Sequence, residues 1–247
     1  MNTSRSKLSR SAQRRATRQT SRRSSAFTLI ELLVVIAIIA LLAGLVVGGT
    51  RYTGAKMKES RIRTEMQALE TAIEAYHARF SHYPPDNVNP ATKAVDPAAN
   101  SLYYELTGVI VQDDPRAAGG TFRTPNRSDK FGQTLVKKYF GVDGIENAAT
   151  TPKEIKSFLP QLKSGQYAAL NPKAAGEAEM DVLVVHVPWP TSRSDQPTPV
   201  PGLNPWRYNS TAPTNNPASF DLWAEYVEGG KVRVICNWSK DILEQGQ

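Results

Sequence analysis

Apolar positions along the chain fall into three regimes. From Phe27 to Gly49 they are nearly continuous, with fifteen Phe, Leu, Ile or Val side chains and one carboxylate, Glu31. From Ile62 to Phe80 they thin to a stripe of Ile62, Met66, Leu69, Ile73, Tyr76 and Phe80, in alternating steps of four and three. That spacing keeps one helix face apolar, and Arg61, Arg63, Glu65, Glu70, Glu74 and Arg79 fall off it. Toward the C-terminus short runs at Trp206 to Ser210, Phe220 to Tyr226 and Lys231 to Trp238 have the pattern of strands.

As a helix the first run would be roughly 33 Å long, enough for a hydrocarbon core of about 30 Å. Its large apolar side chains favour insertion by on the order of 5 to 9 kcal/mol in total, against a cost of a few for Glu31. Insertion wins, and Glu31 becomes an intramembrane carboxylate in need of a partner. Gly44, Gly48, Gly49 and Gly54 weaken the junction with the striped segment, each by about 1 kcal/mol relative to Ala. The pattern predicts one long helix from Phe27 to about Ser81, roughly 80 Å if continuous, with a pliable zone around residues 44 to 54. Tyr83-Pro84-Pro85 then imposes an extended exit.

Between the helix and the last strands the signals are local. Asn100 to Gly108 reads as a short capped helix, Phe131 to Phe140 as another closed by Gly141, and Thr151-Pro152-Lys153-Glu154 as a capping-box start leading into Ile155 to Leu159. Val182 to Val187 is a β-branched run ending at Pro188, and eight prolines from Pro188 to Pro217 mark exposed loop. Val227-Glu228-Gly229-Gly230 joins the last two strands in a tight turn. An antiparallel sheet packed on the helix stripe would bury both apolar faces, so the fold class is α+β.

Charge changes the picture at one end only. Residues 1 to 26 hold Arg5, Lys7, Arg10, Arg14, Arg15, Arg18, Arg22 and Arg23 and no acid, a charge of +8. They contain eight of the 30 basic and none of the 23 acidic residues, so the formal +7 of the chain becomes −1 without them. A basic flank stays in the cytoplasm by the positive-inside rule, which sends everything after Gly49 outward. A secretory signal would have a shorter apolar stretch and an A-x-A-like site, and neither is present. Ser21-Arg22-Arg23 is a weak match to a twin-arginine signal inside an arginine-rich leader.

Ser25-Ala26-Phe27-Thr28-Leu29-Ile30-Glu31-Leu32 resembles the processing site of type IV prepilins and type II secretion pseudopilins, with Ala26 where that family usually has Gly. The resemblance implies cleavage between Ala26 and Phe27 by a prepilin peptidase, N-methylation of Phe27 and a role for Glu31 in assembly. The plainer alternative leaves Glu31 at headgroup level on an ordinary anchor. Leu69-Glu70, Ile73, Tyr76 and Tyr83-Pro84, then Asn204-Pro205-Trp206, Phe220-Asp221-Leu222 and Ile235-Cys236-Asn237-Trp238, are similar to the major, G-type pseudopilin. The implied division is a cleaved leader (1–26), a transmembrane half-helix (27–49), its amphipathic continuation (50–82), an expanded variable region (83–202) and the C-terminal sheet (203–247).

The resemblance implies a single-pass inner-membrane protein with its C-terminal domain exported, forming a filament with copies of itself, other pseudopilins and inner-membrane secretion components. It implies no enzymatic activity and no nucleic-acid partner. The alternatives are a type IV pilin or minor pilin for adhesion, motility or DNA uptake, and an anchored exported protein or enzyme of another class. His77, His82 and His186 share no metal-ligand spacing, and no glycine-rich loop follows a strand-to-helix pattern that could cradle phosphate. Cys236, the single cysteine, lies in an alternating apolar run and reads as a buried small hydrophobe. The G-type resemblance implies structural calcium, and Asp221, Glu225 and Glu228 with Asn215 and Asn216 are the oxygen donors nearest to such a role. No metal site is assigned to them, and Asp113-Asp114 reads as a solvated turn.

Overall fold

A computed structural model describes residues 27–89, 92–112, 121–125, 130–171 and 176–245; within the first helix the side chains of 45–53 are not described. The chain divides into two compact units, Met1–Arg51 and Tyr52–Gln247. Helix α1 runs Leu29–Phe80 and contributes to both. The leader and Ala26 lie outside the described residues, as do Asp113 and Asp114.

In the first unit α1 presents large apolar side chains on every side, from Leu29 to Leu42, all of them exposed. Among the described residues no helix is long and apolar enough to cross a membrane. The described side chains of the apolar run stop at Gly44, five positions short of its end at Gly49.

In the second unit the stripe does what its spacing predicts. Ile62, Met66, Leu69, Ile73 and Tyr76 are buried, Ala72 joins them, and Phe80 packs at the edge of the same core. Two short helices and three sheets complete the unit. Helix α2 (Leu102–Thr107) ends at Gly108, whose φ of 79° favours glycine, and α3 (Gln133–Phe140) ends at left-handed Gly141. Strands β1 (Val109–Val111), β2 (Thr121–Arg123), β3 (Lys130–Gly132) and β4 (Ala148–Ala149) form a sheet in the order β3-β2-β1-β4, with β1 and β4 parallel. Strands β5 (Tyr167–Ala169) and β6 (Asp181–Leu183) pair by themselves.

The C-terminal sheet is antiparallel in the order β10-β9-β8-β7, from β7 (Arg207–Asn209), β8 (Asp221–Glu228), β9 (Lys231–Cys236) and β10 (Ser239–Gln245). Gly229 and Gly230, with φ of 60° and 81°, form the two-residue hairpin between β8 and β9. Positive φ at both central positions is the twist that such a hairpin needs. Trp206, Tyr208, Leu222, Ala224 and Ile235 meet the α1 stripe in one core. The architecture is therefore α+β, with an N-terminal helix and C-terminal antiparallel strands.

Several local expectations are corrected. Thr151 to Leu159 forms a turn and not a helix: Glu154 N–H reaches only Thr151 O, and Phe158 N–H donates outward to Leu106 O at 2.8 Å. Pairing with the end of α2 has displaced the helical ladder. Phe131 and Gly132 belong to β3, so α3 starts later than its apolar pattern suggested. The Val182–Val187 run yields ladder pairing only as far as Leu183, after which Val184 bridges Pro205. Strand β10, whose residues are mostly exposed and polar, carried no apolar alternation to announce it.

Candidate assembly and processing site

The N-terminus of α1 is closed by a reciprocal cap. Thr28 donates its N–H to Glu31 Oε2 at 2.9 Å and its hydroxyl to the same oxygen at 2.8 Å, while Glu31 N–H reaches Thr28 Oγ1 at 3.3 Å. Thr28 O also accepts from Leu32 N–H at 3.3 Å. This is a capping box, Thr followed three residues later by Glu, which satisfies helix-end donors that would otherwise be orphaned. Within one chain, then, Glu31 already has donors, and its negative charge sits at the positive end of the helix dipole. Phe27 stands beside it, 80% exposed.

Comparison with known proteins falls on the same residues. Residues 21–47 match the family model described as the prokaryotic N-terminal methylation motif. The chain therefore carries a segment similar to the prokaryotic N-terminal methylation motif. It is also similar to the type II secretion system core protein G of Aeromonas hydrophila, with 35% identity over 82 residues, covering 31% of the chain and 57% of that relative. The chain spans little more than half of that relative's length. No solved structure matches it.

The other candidate residues are occupied structurally. His77 stacks on Tyr83 with centroids 4.3 Å apart, His82 Nε2 lies 2.8 Å from Glu146 Oε2, and His186 Nδ1 lies 3.2 Å from Glu65 Oε2. The structure brings no two of them together as ligands. Cys236 is buried, and burial pushes its thiol above the ordinary range, which removes nucleophilic character.

The candidate oxygen donors of the C-terminal sheet do not fit calcium. Asp221 Oδ2 accepts from Thr214 N, Asn215 N and Asn215 Nδ2 at 2.8 to 3.0 Å, and its Oδ1 accepts from Asn216 N at 2.9 Å. Glu225 is held by Arg207 at 3.0 Å and by Trp223 Nε1 at 3.0 Å. Calcium needs several free oxygens in one shell, and here the carboxylates are already filled by N–H donors. Among the described residues no three His, Cys, Asp or Glu side chains form a metal-sized cluster.

One group escaped the sequence reading. Glu105, on α2, is fully buried and accepts from Glu146 N–H, Asn147 N–H and the Tyr76 hydroxyl at 3.0 to 3.1 Å. Burial pushes its carboxyl up to about 7, against the pull of the two backbone N–H donors and the Tyr76 hydroxyl, and the nearby Glu146 carboxylate adds to the rise. Its position among Tyr103, Tyr104 and Leu106, all buried, was the available signal, since a Glu inside an apolar helix demands internal donors.

Proposed function

We propose that the chain is a structural subunit of a type II secretion pseudopilus, anchored and assembled through the N-terminal part of α1. The observation that carries this reading is the uncovered apolar surface of the first unit. Leu29 is 81% exposed, and even Val35, the best covered of the described large apolar side chains there, is 45% exposed. A helix apolar on all sides belongs in lipid or in the core of an assembly. Before assembly the bilayer would cover it; afterwards other copies would.

In this reading the +8 leader holds the N-terminus in the cytoplasm and the second unit is exported, a single-pass topology across the inner membrane. A prepilin peptidase cuts between Ala26 and Phe27, and Phe27 is then N-methylated. The new amine of Phe27 pairs with Glu31 of a neighbouring copy, so that two charges costly in lipid are buried only together. The Thr28 donors hold Glu31 until that partner arrives. Other pseudopilins and inner-membrane secretion components complete the machine, and growth of the filament moves exported proteins outward. No catalytic step and no nucleic acid are involved.

A second reading is a type IV pilin or minor pilin. It draws on the Asp221 and Glu225 carboxylates, which are saturated by protein donors where a G-type pseudopilin would offer them to calcium.

The test is the N-terminus of the protein taken from membranes of cells with and without an active prepilin peptidase, read by intact mass and peptide mapping. A chain beginning at methylated Phe27, only where the peptidase is present, is the expected result. A retained leader, or a cut after Val47, would remove the filament reading altogether.

A further inference from the structure

The segment that follows the apolar run is strongly basic. From Thr50 to Arg63 the sequence holds Arg51, Lys56, Lys58, Arg61 and Arg63 against Glu59 alone, a charge of +4. In the secretion reading this flank lies on the exported side, where the positive-inside rule disfavours cations. Once the +8 leader has been cut away it is also the only basic flank that the apolar run retains, because Phe27 to Gly49 offers one carboxylate and the new terminal amine. A cationic flank on the disfavoured side needs anions of its own.

The protein supplies too few. Glu59 takes both Lys56, at 3.0 Å, and Arg63, at 3.1 Å, while Arg61 pairs with Glu65 at 3.1 Å, and among the described residues Lys58 pairs with no acid. Lys56, Met57 and Lys58 are all exposed, Met57 at 69%. Successive helical residues step by about 100°, so these three face more than half of the circumference, with Lys56 and Lys58 about 200° apart. Arg63 falls within about 20° of Lys56 and Arg61 within about 60° of Lys58, so bases occupy two opposite sides of α1. A groove on another protein would reach one of those sides. A layer of headgroups surrounds a helix that crosses it and reaches both.

We propose that Lys56 and Lys58 form a cationic collar that binds the phosphate groups of anionic phospholipids at the exported face of the membrane. The inference rests on the anchored reading above and adds to it the class of lipid that the subunit selects. Lys56 comes seven positions after Gly49, a rise of roughly 10 Å in a helix, and the headgroup layer extends about 5 to 8 Å beyond the hydrocarbon. Helical side chains tilt toward the N-terminus of their helix, so both lysine stems lean back across the remaining few ångströms, as long cationic side chains do near a bilayer. The pair between Lys56, 60% exposed, and Glu59 is weak enough to yield to a headgroup. Each base at an anionic surface is worth a factor of about five in binding. A subunit leaving the bilayer for a filament gives up these contacts, so the collar holds the anchored chain at a fixed depth until assembly draws it out.

Paramagnetic broadening in small bicelles of phosphatidylcholine and phosphatidylglycerol tests this with the full chain, since the two lipids give separate phosphorus resonances. A nitroxide is placed on Met57→Cys, the native thiol Cys236 being buried. It should broaden the phosphatidylglycerol signal roughly threefold more than the phosphatidylcholine signal. Adding Lys56→Gln and Lys58→Gln should remove most of that excess, and Lys56→Arg with Lys58→Arg should keep it. An excess that the Gln pair leaves unchanged overturns the collar. A nitroxide on Leu33→Cys, reading the acyl-chain methyl protons, reports on the anchor separately. Broadened methyls with equal phosphorus signals overturn the collar and leave the anchored reading standing; methyls untouched by the Leu33 label overturn both.

Discussion

The two halves of α1 are a controlled comparison within one element. Both are helical and rich in apolar residues, yet Ile36, Ile38 and Ile39 are about half exposed while Ile62 and Ile73 are completely buried. The difference is the width of the apolar face. In the second half polar residues flank a single stripe, and the stripe is covered by the protein's own sheet. In the first half the apolar face has no polar boundary, so no single layer of protein could cover it. The width of an apolar pattern thus reports which medium will solvate it: a stripe asks for a core, and a full circumference asks for lipid or for other helices.

Substitution on either side breaks the comparison most sharply. Tyr76→Ala should destabilise the second unit by about 3–5 kcal/mol, since it opens a large cavity and takes a donor from buried Glu105. Ile36→Ala should leave the same unfolding curve within about 0.5 kcal/mol, because its side chain touches no core. Chemical denaturation in detergent, followed by fluorescence, separates the two, since all four tryptophans lie in the second unit. Equal destabilisation by both would mean that the two halves share one core.

The same contrast explains what was legible in the sequence. Periodicity of 3.6 and continuous apolar runs carry their own signal, so α1, its stripe and the Gly229-Gly230 hairpin could be read directly. The capping box at Thr28 could also have been read, as Thr and Glu three apart at the start of an apolar run. What stayed illegible depended on partners distant in sequence. Residues 151 to 159 have every local helix signal, but Phe158 N–H is claimed by Leu106 O from fifty residues away. Strand β10 is a polar edge strand whose only warrant is pairing with β9. Nor could the Asp221 cap be foreseen, because it depends on a loop folding back to aim four N–H groups at one carboxylate.

Protonation sharpens the comparison, because Glu105 of α2 accepts from Tyr76 in the buried half of α1, whereas Glu31 lies in the exposed half. The Glu105 carboxyl titrates at about 7 in the folded domain, above its ordinary 4.5. The folded state then binds the proton more tightly than the unfolded chain. The stabilisation is complete below about pH 4.5 and is lost as pH rises through 7, by on the order of 3 kcal/mol. Glu105→Gln should flatten this slope in denaturation at pH 5 and pH 8.5. Glu31→Gln should leave it untouched. A wild-type domain that gains stability between those two values would show that the donors from Glu146, Asn147 and Tyr76 outweigh burial.

The smallest effect expected is at the cap. Thr28→Val removes the hydroxyl that donates to Glu31 at 2.8 Å and accepts from Glu31 N–H at 3.3 Å, but it keeps the backbone donor at 2.9 Å. Loss of such a cap costs about 1 kcal/mol, a factor of roughly five in a two-state population. The second unit should unfold as wild type, since the cap touches none of its core, and the deficit should appear only in the yield of sheared filaments. Thr28→Ser keeps both hydroxyl bonds and should recover that yield. If Thr28→Val assembles as well as wild type, Glu31 is held by the backbone N–H and by its neighbour alone, and the hydroxyl serves only to start the helix.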